Sequence, residues 1–181
     1  MDQWSLLLKD DKKNIIQSYG KKVKQLDDIL VSLTKPLCSE RNNCVEDIAS
    51  KTKEYGCCDH SEHHLSGLTT DFLIVQKIEA ETNGWKKEGD KCKYHSTDGC
   101  YLTHYKSPLC VGYLCGNIES KLRLAYNKDI ARLFVNAMDS IAGSDIHVIG
   151  NTIIGRIDTA IAYAELLNNP AQSKHSGNPA L

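Results

Sequence analysis

Apolar side chains recur at three- and four-residue spacing in several stretches of the chain, with charged residues between them. Over residues 10–34, Ile15, Ile16, Tyr19, Val23, Leu26, Leu30 and Leu33 alternate with Lys and Asp. That spacing predicts an amphipathic helix, and Pro36 is expected to end it. A shorter helix is expected over 44–54, with Val45 and Ile48 inward. Thr70 reads as the N-cap of a helix that buries Phe72, Val75 and Ile78, with Gly84 as its C-cap. Ser107-Pro108 opens a short helix that ends near Gly116, Ser as cap and Pro at the first helical position. Asn117 is expected to cap a longer helix running to about residue 142. Its inward stripe is Leu122, Tyr126, Ile130, Leu133, Phe134, Ala137 and Ile141, and Gly143 ends it. Ser144 or Asp145 would cap the last helix, which places Ile146, Ile149, Ile153, Ile157, Ile161, Ala164 and Leu167 on one face. The tail from Asn168, with Pro170, Gly177 and Pro179, is expected to be disordered.

Between these stretches the periodicity disappears. Residues 55–68 are rich in turn formers, and residues 84–107 read as loop or short strand. The expected fold class is therefore mostly α: a helical bundle with a cysteine-rich, loop-dominated metal-binding insert. A chain of 181 residues falls within the range of roughly 100–200 residues for one domain. Within that single domain, 10–54 hold the N-terminal helices, 55–116 the insert, 117–168 a C-terminal helical pair and 169–181 the tail. The C-terminal pair is the most apolar part and reads as core.

Charge narrows the partners. The formal net charge is −1, with 41% hydrophobic and 25% charged residues, so no global field favours nucleic acid or an anionic membrane. No run approaches the roughly 20 apolar residues of a membrane-spanning helix. The N-terminus turns acidic at Asp2, and the run Leu6-Leu7-Leu8 is too short for a signal-peptide core. The expected location is the cytoplasm.

Cysteine is the unusual residue: there are eight. In a reducing compartment clustered thiols bind metal or carry redox chemistry rather than form disulfides. Cys57, Cys58, Cys92, Cys100, Cys110 and Cys115 lie within one loop-rich window, together with His60, His63, His64, His95 and His104. A soft or borderline metal needs several thiolate or imidazole donors at about 2.0–2.3 Å, and loops supply them to one point better than a regular helix does. Cys92 and His95 have the C-x2-H spacing of two donors from one turn. Cys110 and Cys115 lie on or beside the short helix, and Gly99 permits a tight turn into Cys100. The expected metal ligands are drawn from Cys57, Cys58, Cys92, His95, Cys100, Cys110 and Cys115. His60, His63 and His64 read as a solvated polar loop and His104 and His147 as structural. Cys38 and Cys44 read as helix-end or core packing.

The run Cys92-Lys-Tyr-His95, then Gly99-Cys100-Tyr-Leu, then Pro108-Leu-Cys110-Val-Gly-Tyr113-Leu-Cys115 resembles the bacterial cysteine-cluster proteins described as zinc- or iron-chelating. Their pattern is a CC pair, a Cys-containing turn, G-C-x-[IL]-[YF], and R-P-x-x-C-x-x-[FY]-x-C. Cys57-Cys58 would be the pair, Gly99-Cys100 the G-C step, and Pro108, Cys110, Tyr113 and Cys115 the closing segment. Ser107 stands where the family has Arg, and Pro108 is one residue closer to Cys110. The C-x-x-C step before the pair and a second Cys after Cys92 are missing. The resemblance covers about a third of the chain and implies metal chelation, not a particular reaction.

Two assignments of the centre stay open. Four of the thiolates could hold an iron–sulfur cluster such as [4Fe–4S], for electron transfer or redox sensing with a redox partner. Alternatively three or four cysteines with His95 form a closed Zn2+ site, in an accessory module that binds a protein partner. That metal would order an insert with few apolar residues of its own. An enzyme with an open metal position is a third class, but no base is singled out. Asp139, Asp145 and His147 sit near helix ends, where capping accounts for them. An exported disulfide protein fits the even cysteine count but not the absent signal or the helical core. Cys110, two residues into its helix, would feel the positive helix end, which suits a nucleophile and a metal thiolate equally. No P-loop, G-x-G-x-x-G or G-x-S-x-G motif is present.

Overall fold

A computed structural model of the chain describes residues 8–38, 69–85, 94–96, 99–144 and 149–169. The expected helix at 44–54, the loop at 55–68 and the tail from 170 lie outside the described residues. The rest is mostly helical: α1 (Asp10–Cys38), α2 (Thr70–Thr82), β1 (His95–Ser96), β2 (Gly99–Cys100), α3 (Pro108–Gly112), α4 (Gly116–Ala125), α5 (Lys128–Ala142) and α6 (Asn151–Asn168).

The core follows the apolar stripes. Ile16, Tyr19, Val23, Leu26 and Leu33 of α1 meet Phe134, Met138 and Ile141 of α5 and Ile153, Ile157, Ile161, Ala164 and Leu167 of α6. α6 packs on both α1 and α5, and α5 also receives α3 and α4. Polar ties fix the register at the rim. Lys22 pairs with Asp158 at 2.6 Å, and Asn168 Nδ2 donates to Ser32 Oγ at 2.9 Å.

Helix boundaries depart from the periodicity in five places, one of them α3, which ends at Gly112 and not near Gly116. α1 does not stop before Pro36 but continues to Cys38, with Pro36 in its last turn. Proline there removes one backbone donor. Two carbonyls near this end receive side-chain donors, Leu30 O from Thr34 Oγ1 and Leu37 O from Lys121 Nζ at 2.7 Å. α2 is capped by Thr69, whose hydroxyl accepts from Phe72 N, one residue before the expected Thr70. The helix expected from Asn117 to 142 is two helices. Cys115 stands at the N-cap of α4, and Asn127 caps α5 by accepting from Asp129 N and Ile130 N. The turn between them leaves Leu133 39% exposed, while Ala131, Val135 and Met138 go inward. α6 starts at Asn151 with Gly150 as its N-cap, later than Ser144 or Asp145. Ile146 lies outside the described residues.

Other expected signals hold. Gly84 follows α2 with φ +84. Trp85 N bonds Ala80 O at 2.8 Å and Gly84 N bonds Glu81 O at 3.1 Å, the Schellman arrangement that a glycine in the left-handed region permits. Ser107 caps α3 with Pro108 at its start. Gly143 ends α5. Among the described residues no helix is long and apolar enough to cross a membrane.

Candidate metal centre

The two strands form a minimal antiparallel hairpin, with His95 opposite Cys100 and Ser96 opposite Gly99. Two of the expected donor residues are thus brought together at the backbone. A small apolar cluster of Ala80, Tyr94 and Leu102, with Trp85, Cys100 and Tyr101 packed against it, supports the hairpin. The rings of Trp85 and Tyr94 are 5.7 Å apart.

From Cys100 the chain runs as a loop to Ser107, clamped from two sides. Along α2 and its C-cap residue Asn83, positions 76, 79 and 83 follow one another at helical spacing, and each takes hold of backbone. Asn83 Nδ2 donates to Tyr101 O at 2.6 Å and Gln76 Nε2 to Tyr105 O at 2.7 Å. Between them Glu79, its side chain only 8% exposed, accepts from Thr103 N at 3.3 Å, His104 N at 2.8 Å and Tyr105 N at 3.0 Å. Thr103 Oγ1 and His104 Nδ1 each reach its Oε1 at 2.9 Å. A buried carboxylate is tolerated because these donors replace its water.

From the other side α1 grips the same loop. Tyr19 OH donates to Lys106 O at 2.6 Å, and Lys106 Nζ pairs with Asp27 at 2.7 Å. The Tyr105 ring lies so close to Gly20 that a Cβ there would sit 2.5 Å from its Cε1. Phe72 stands edge-on to both Tyr19 and Tyr105. Burial above all, and then the charge of a nearby Cys110 thiolate, push the Tyr19 phenol well above its ordinary range, so it stays protonated and donating.

The loop delivers two thiols in hydrogen-bonded settings. Cys100 Sγ accepts from Leu102 N at 3.4 Å. Cys110 Sγ accepts from Ser107 Oγ at 3.1 Å, while the same hydroxyl oxygen accepts from Cys110 N at 3.3 Å. Cys115 is a half-buried thiol that packs against the main core and makes no capping bond at α4. All three are intermediate in exposure.

Cys57, Cys58 and Cys92 lie outside the described residues, as does the His95 side chain. Among the described residues no group of three or more His, Cys, Asp or Glu side chains is placed to hold a metal. One expectation needs correction. The insert was expected to lack the means to order itself, yet its 99–107 portion is held by Gln76, Glu79, Asn83, Tyr19 and an apolar cluster of its own. Sequence reasoning missed Glu79 and Gln76. Their only signal is a position on the inward face of α2, since Glu79 and Gln76 flank the stripe of Phe72, Val75 and Ala80. His104, expected to be structural, is the ring whose Nδ1 Glu79 holds.

Comparison with known proteins finds no matching family model, no matching curated protein and no matching solved structure.

Proposed function

We propose that this chain is a metal-binding protein that holds an iron–sulfur cluster or iron through four of Cys57, Cys58, Cys92, Cys100, Cys110 and Cys115. It would serve redox or electron-transfer chemistry with a protein partner in a reducing cytoplasm. The observation that carries this reading is the prearranged loop between Cys100 and Cys110. Both sulfurs accept hydrogen bonds, and the backbone between them is fixed by α1 and α2. Such donors stabilise coordinating thiolates and raise the potential of a bound cluster. When bound, the cluster supplies reversible one-electron transfer. The likeness of Cys57-Cys58, Gly99-Cys100 and Pro108–Cys115 to the zinc- or iron-chelating pattern supports the same reading.

A structural Zn2+ site is the second reading. It is favoured by the backbone pairing of His95 with Cys100, which brings an imidazole-bearing residue beside a thiol, the mixed donor set zinc accepts. The protein would then be an accessory module.

The deciding experiment is visible absorption with iron, zinc and acid-labile sulfide analysis on untagged protein purified without oxygen. A brown protein with iron and sulfide is expected, with Cys100→Ser and Cys110→Ser losing most of the metal and Cys38→Ser keeping it. Colourless protein with stoichiometric zinc selects the second reading. Full metal retention in both loop variants, or no metal in wild type, overturns the site.

A further inference from the structure

We draw no further inference here: the strongest candidate, the buried amide of Gln76 where α2 packs against the loop before Ser107, carries nothing, because nothing in the structure shows what would reach its Oε1, which has no hydrogen-bond partner among the described residues.

Discussion

Tyr19 shows how one side chain links the core to the loop that bears the thiols. Its ring lies in the apolar stripe of α1, and its hydroxyl ends on Lys106 O. Burial, with Cys110 as a second cause, raises the phenol above its ordinary range in the folded state, whereas in the unfolded chain it ionises near pH 10. Below about pH 10 both states hold the proton and the contribution to stability is complete. Above it the unfolded chain ionises first, and the contribution is lost as pH rises toward the folded value. Tyr19→Phe should cost about 1–2 kcal/mol at pH 8, the loss of a donor to a carbonyl. In urea unfolding at pH 8 and pH 10.5, the gap between wild type and variant should narrow at the higher pH. A constant gap would show that the phenol proton is not part of the link. Tyr19 is readable in sequence as an apolar-stripe residue. The hydroxyl's partner, 87 residues away, is not. Glu79 was still less legible: a glutamate on a helix normally faces water, and only the backbone donors of residues 103–105, brought in by tertiary folding, make its burial favourable.

Among the helices, legibility tracks how much of the burial is periodic. α1 and α6 have unbroken stripes, and the residues they bury, Tyr19, Val23, Leu26, Ile153, Ile157 and Ile161, are those the spacing picks out. The break between α4 and α5 was not legible, because apolar positions continue through Tyr126 and Ile130. What ends α4 is the capping bond of Asn127, whose acceptor serves two backbone donors at once, a local competition that hydrophobic period does not record. The small helix α3 is fixed by close approach. A Cβ on Gly112 would stand 2.4 Å from Ala142 N and 2.5 Å from Met138 O, both backbone atoms of α5 that cannot yield. Gly112→Ala should therefore push α3 off α5 and cost about 1–3 kcal/mol, the usual penalty of overpacking. Because α3 carries Cys110, metal content should fall with it. Gly116→Ala, with open space around its Cβ, is the control and should leave both melting temperature and metal content near wild type. Equal behaviour of the two variants would mean that α3 is free to shift.

At the scale of the whole molecule, the described helices are held together by apolar contacts. α1, α5 and α6 close one apolar cluster, and the hairpin and loop beside it have their own cluster and a carboxylate clamp. A metal module that folds only on binding has neither. The cysteine clustering on which the metal proposal rests is a matter of residue type and spacing alone. The packing of its surroundings is not, since it depends on which helix face meets which loop. The consequence is testable by stripping the metal with a chelator, with ferricyanide added if a cluster is present. Far-UV circular dichroism of the apoprotein should stay close to that of the loaded protein. In hydrogen exchange, the amides of Thr103, His104 and Tyr105 should remain protected, because Glu79 holds them whether or not Cys100 and Cys110 are ligated. Loss of the helical signal on chelation would make metal binding and folding one event, as in zinc fingers. Retained helices with rapid exchange at residues 103–105 would instead assign the order of the loop to the metal and not to Glu79. Protection at these amides in the apoprotein is the expected result, since the carboxylate and its donors are all supplied by the polypeptide.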